Sequence, residues 1–137
     1  MGLFKVFDIA GSAMSAQSVR LNTTASNLAN ANSAAGRPED VYRARQPVFQ
    51  TVLDEQSGQD ATAGVRVAGI IESQAEPLRV HQPGHPLADE QGYVYMANVN
   101  PVDELVNMIS ASRSYQNSVE VLNTSKELLL RTLMLGQ

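Results

Sequence analysis

His81 and His85 stand four residues apart, the spacing at which two imidazoles on one helix face share a metal ion, and Asp89 and Glu90 follow closely. Pro83 lies between the histidines and Pro86 follows the second, so a helical face is closed to them. Only a loop site remains, against a turn whose polar groups cap its own backbone. Glu39 with Asp40, and Asp54 with Glu55, place carboxylates side by side, but amid polar neighbours they read as solvated charge rather than an acid and base pair. No serine sits in a Gly-x-Ser-x-Gly setting, and Gly64-Val65-Arg66-Val67-Ala68-Gly69 lacks the Lys-Ser/Thr pair of a phosphate loop. The chain has no cysteine, which removes disulfides, thiolate metal sites and cysteine nucleophiles. No catalytic site, metal or cofactor is expected, and the protein is read as a non-enzyme.

The elements that would carry any other function follow from punctuation. All six prolines lie between Pro38 and Pro101, leaving both ends of the 137-residue chain free of the strongest helix breaker. The expected fold is mainly α with a small β part. A helical segment over 1–36 and another over 100–137 form an antiparallel, coiled-coil-like pair around a β-rich middle at 37–99. In the first segment Phe7, Met14, Leu21 and Leu28 recur every seven residues, with Ala10, Gln17, Thr24 and Ala31 three places after each. Gly36, Arg37 and Pro38 form its expected stop. The last segment opens with Asn100 as N-cap, Pro101 at the first helical position and Asp103 and Glu104 near the positive end of the helix dipole. Its expected seam runs through Leu105, Met108, Ser112, Tyr115, Val119, Leu122, Lys126, Leu129 and Leu133, widened at the front by Val102, Val106 and Ile109. In the middle, strands are expected at about 41–53, 65–72, 78–81 and 92–96. Pro47 marks an edge or a bulge, and 54–60 a polar hairpin tip.

Charge is distributed unevenly. The formal net charge of −4 comes from 36–97, where five basic side chains face nine acidic ones, the wrong sign for a nucleic-acid groove. No apolar run approaches the ~18 residues of a bilayer span, and the first residues lack a cleaved secretory signal. Across 9–36 the only charged side chain is Arg20, amid a dozen Ser, Thr, Asn and Gln residues. Each such residue costs a few tenths of a kcal/mol in a helix, so this segment alone is expected to fray and to become ordered on assembly. Charge-poor faces of small polar groups suit close packing against several neighbours.

Two stretches carry a resemblance. Ala25-Ser26-Asn27-Leu28-Ala29-Asn30-Ala31-Asn32 resembles the N-terminal signature of the bacterial flagellar rod and hook axial family. Gly92-Tyr93-Val94, Asn98-Val99-Asn100, Glu104-Leu105-Val106-Asn107-Met108-Ile109, Ser112-Arg113-Ser114-Tyr115-Gln116 and Thr132-Leu133-Met134-Leu135-Gly136 resemble its C-terminal signature. The length suits the family's short rod subunits. One departure is Ala97, where the family usually has proline, expected to loosen the approach to the second helix.

The resemblance implies a proximal-rod subunit of the flagellar basal body, exported unfolded without a cleaved signal and assembled in the periplasm. Its implied partners are copies of itself, other rod proteins, ring or adaptor proteins below the rod and the type III export apparatus. No nucleic acid is implied, and no membrane span. The paired helices would line the export channel as part of the drive shaft. On this reading Phe7, Met14, Leu21, Asn27, Leu28, Asn30, Leu105, Met108, Ile109, Tyr115, Val119, Leu122 and Leu129 form the assembly interface, with the asparagine amides bonding helix to helix. The competing reading is a small soluble binding module whose 81–92 loop takes a ligand or metal.

Overall fold

A computed structural model describes residues 2–54 and 62–136. Its elements in chain order are helix α1 (Leu3–Ala29), strand β1 (Ala34–Ala35), a 3-10 turn (Pro38–Asp40), strands β2 (Arg45–Asp54), β3 (Thr62–Glu72), β4 (Leu78–His81) and β5 (Tyr93–Met96), and helix α2 (Pro101–Leu135). This is the expected helix, small-sheet, helix order. The polar tip expected at 54–60 falls, apart from Asp54, outside the described residues.

α2 starts as its sequence predicts: the Asn100 side chain accepts from the Val102 N–H at 3.0 Å, Pro101 needs no partner, and Asp103 and Glu104 occupy the first turn. α1 has no side-chain cap and no acidic first turn, and it ends at Ala29, before the expected stop at Gly36. The reason is local competition for backbone groups. The Asn30 amide donates to the Ser26 carbonyl, and the Ser33 hydroxyl and N–H both donate to the Asn30 carbonyl. The freed segment then pairs as β1 with β5, Ala34 opposite Met96 and Ala35 opposite Tyr95. α1 is therefore about 40 Å long and α2 about 52 Å.

β5 is the central strand of an antiparallel sheet ordered β1-β5-β4, and its Val94 is fully buried. Ala31, Val41, Ala97 and Val99 form a small core beside it, with Tyr42 and Tyr95 packed on its margin. The Ala97 N–H donates to the Ser33 carbonyl at 3.2 Å, a bond proline cannot make. The approach to α2 is thus tied where it was expected to be loose. β2 and β3 form a separate two-stranded antiparallel hairpin. Its register shifts between Val48 and Phe49, next to Pro47. Ile70 and Ile71, successive residues of β3, are both exposed.

The hairpin lies along α1. The Val65 N–H donates to the Ser12 hydroxyl at 3.2 Å while that hydroxyl donates to the Ile9 carbonyl at 2.8 Å. Gly64 permits the approach, since a Cβ there would sit 3.3 Å from Ser12 Oγ. α1 is thus covered by α2 on one side and by the hairpin on another. This cover comes from its own chain, in addition to any that neighbouring subunits supply on assembly.

Candidate assembly interface

The helices run antiparallel: Arg20 on α1 donates to Asn107 Oδ1 on α2 at 3.3 Å, while Val6, Ile9, Ala10 and Ala13 share a cleft of about 340 Å³ with Asn117, Ser118 and Val121. On α1 the seam falls where the heptads place it. Ala10 and Thr24 are buried, and Phe7, Met14, Leu21 and Leu28 are half-buried, while Ala31 falls past the end of α1 and is buried in the core beside β5. Gln17 shares that seam, and its buried Oε1 has no partner among the described residues.

On α2 the seam is shifted. Met108, Tyr115, Leu122 and Leu129 are half-buried as expected, but the second line is Glu104, Ala111, Ser118 and Ser125, not Leu105, Ser112, Val119 and Lys126. Glu104, Ala111 and Ser125 are buried, and Ser118 is half-buried. Leu105 and Ile109 remain 45% and 54% exposed, and Val119 is half-buried at the flank. The physical reason is helix separation. Small side chains at Ala10, Thr24, Ala111, Ser118 and Ser125 let the backbones approach, and the seam chosen has a small residue at three successive seventh places after Glu104 at its start. In this register Phe7, Met14 and Leu21 come level with Leu122, Tyr115 and Met108. The run Ala111, Ser118 and Ser125 on α2 was the available signal, masked by Leu105 and Val119 on the line one position away.

Asn27 does not bond helix to helix within the chain. It is 1% exposed, and its amide donates to the Arg45 carbonyl at 2.8 Å, while its Oδ1 accepts from the Arg45 N–H and the Tyr42 hydroxyl, each at 2.8 Å. It anchors the first residue of β2 to α1. Asn30 bonds its own helix through Ser26. Beside Asn27 a polar cleft of about 260 Å³ opens, where Arg20, Arg45, Glu104 and Asn107 converge.

Covering on two sides leaves α1 one exposed line: Phe4, Asp8, Gly11, Ser15, Ser18, Asn22, Ala25 and Ala29, spaced alternately four and three apart. From Gly11 onward that line is small and uncharged. α2 exposes large apolar groups at both ends, among them Val102, Val106, Leu133 and Met134.

The 81–92 loop spends its polar groups internally. His85 Nδ1 accepts from the Leu87 N–H, and Asp89 accepts from the Gln91 and Tyr93 N–H groups. His81 meets the Tyr93 ring edge-on at 4.9 Å. Among the described residues no group of three or more candidate metal ligands comes together, and no helix is long and apolar enough to cross a membrane.

Comparison with known proteins places this architecture. Residues 7–36 match the flagella basal body rod protein family, and residues 90–135 match the C-terminal region of flagellar basal body rod FlgEFG proteins. Over 137 residues, spanning both chains in full, the sequence is 59% identical to the flagellar basal-body rod protein FlgC of Salmonella typhimurium and 60% identical to that of Yersinia enterocolitica. It is 34% identical over 139 aligned positions to the FlgC of Buchnera aphidicola subsp. Baizongia pistaciae.

Proposed function

Because the chain belongs to the FlgC family of flagellar basal-body rod proteins, and is a structural rod subunit rather than an enzyme, we propose that it builds the proximal rod by packing the exposed line of α1 against neighbouring subunits. The supporting observation is the chemistry of that line. Gly11, Ser15, Ser18, Asn22, Ala25 and Ala29 are exposed yet carry no charge, whereas a helix face meant for water carries Lys and Glu. Small side chains let a second helix approach closely, and their hydroxyl and amide groups keep hydrogen-bond partners when water leaves.

The flagellar basal body is its location, and other rod components are its partners. In the finer reading the helix pair surrounds an export channel and transmits torque, with the hairpin on the outside. Its further partners are its own copies, ring or adaptor proteins below the rod, and the type III export apparatus that delivers it, uncleaved, to the periplasm. The interface residues proposed from the sequence divide accordingly. Phe7, Met14, Leu21, Leu28, Met108, Tyr115 and Leu122 hold the pair together, Leu129 lies on α2 past the start of α1, and the exposed Leu105 and Ile109 are free for neighbours. No observation favours a binding module on the 81–92 loop.

The test is Ala25→Glu in cells that depend on this gene for motility. Ala25 is exposed, so the purified variant keeps its helix content and thermal midpoint. A charge forced into a closed subunit contact then abolishes swimming and removes the chain from purified basal bodies. Normal swimming would refute packing through this line.

A further inference from the structure

The two ends of the helix pair are unlike. In the register set by Arg20 on Asn107, Ser125 comes level with the first turn of α1, and residues 126–135 of α2 extend past the described start of α1 for about 15 Å. Leu128, Leu130, Leu133, Met134 and Leu135 on this overhang are exposed, Met134 at 70% and Leu135 at 88%. At the opposite end the first turns of α2 leave Val102, Leu105, Val106 and Ile109 exposed. On the overhang Leu130, Leu133 and Met134 share one helix face, as Val102, Leu105, Val106 and Ile109 do at the other end, and an apolar face of that kind marks a contact.

Charge pairs the two ends. The overhang carries Lys126 and Arg131 against Glu127 alone, while the first turn of α2 exposes Asp103, its neighbour Glu104 being buried in the cleft that Arg20 lines. Their macrodipoles also match, the negative C-terminal end of one helix meeting the positive N-terminal end of the next. A contact between unlike ends need not close on itself, so it can extend a row of subunits.

We propose that the overhang of α2 docks on the first turns of the C-terminal helix of the next rod subunit along the axis, a helix start that is apolar and acidic like this chain's own. Leu130, Leu133 and Met134 fill the contact, and this chain's Val102, Leu105, Val106 and Ile109 receive the overhang of the subunit on the other side. The inference rests on the rod reading but assigns ends that the exposed line of α1 does not.

A benzophenone amino acid replacing Met134, or separately Val106, is placed in cells, and basal bodies are purified, irradiated and mapped by peptide mass spectrometry. Adducts from position 134 are expected on the first three turns of a rod subunit's C-terminal helix, and those from position 106 on the last turns of such a helix. Adducts at mid-helix positions, on a ring protein, or none from basal bodies that contain the variant overturn the docking and leave the rod reading intact. Absence of the unsubstituted chain from basal bodies overturns both. In a second arm, Met134→Asp is expected to leave the monomer's thermal midpoint unchanged and lower incorporation into basal bodies roughly tenfold, by placing a charge in the contact. Unchanged incorporation, or a collapsed monomer, overturns the proposal.

Discussion

Asn27 occupies the point where helix and sheet must agree. Its amide both donates to and accepts from the backbone of Arg45, so one side chain does the work of a strand partner for the first residue of β2. Asn27→Ala strands the Arg45 N–H and carbonyl and leaves the Tyr42 hydroxyl without its 2.8 Å acceptor. At about 1–3 kcal/mol for each unsatisfied buried group, the expected loss is about 3 kcal/mol. Thermal denaturation should register a midpoint lower by roughly 10 °C. A midpoint within about 2 °C of the parent would mean the clamp is not needed. The asparagine was singled out from the sequence by its place in a signature, but its partners lie 15 to 18 residues away and no spacing rule reaches them.

At the level of elements, the small sheet depends on the turn between β4 and β5. Gly92 has φ of +78°, and a Cβ there would lie 3.0 Å from Pro83 Cβ and 3.2 Å from His81 Nε2. Gly92→Ala is expected to cost about 2 kcal/mol from backbone strain and crowding together. Hydrogen exchange should speed up first at 78–81 and 93–96, whose strands this turn joins. Unaltered exchange there would show that the turn relaxes without disturbing the sheet. The strands were legible because valine, isoleucine and tyrosine runs lie between turn residues. β1 was not, because Ala34 and Ala35 have no strand propensity and pair only because β5 offers an edge.

For the whole molecule, the prediction concerns which parts of the isolated chain are closed to water. α1 lies between α2 and the β2–β3 hairpin, so amides over 10–27 are expected to exchange as slowly as those over 104–122. The overhang at 126–135 is expected to exchange fastest of the helical residues in the monomer and to slow on incorporation into the rod. Rapid exchange throughout 10–27 in the monomer would mean that its own chain does not hold α1 and that assembly does. Its dozen polar residues fit either outcome until cover is counted. The hairpin supplies a second side of cover that the heptad pattern could not reveal.

Local chemistry was enough for the types of element, the N-terminal cap of α2, the edge or bulge at Pro47 and the α1 seam. These depend on backbone sterics, proline geometry and periodicities that act within a few residues. Which face of α2 meets α1 was beyond that reach. Two candidate second lines beside Met108, Tyr115 and Leu122 lie one residue apart, about 100° around the helix, and Leu105 and Val119 favour the one the structure does not use. The choice turns on how closely two helix backbones can approach, a property of both surfaces at once. Tertiary structure also decided the end of α1 at Ala29, the pairing of β1 and the bonds of Asn27, because each depends on groups brought together only after the chain has folded.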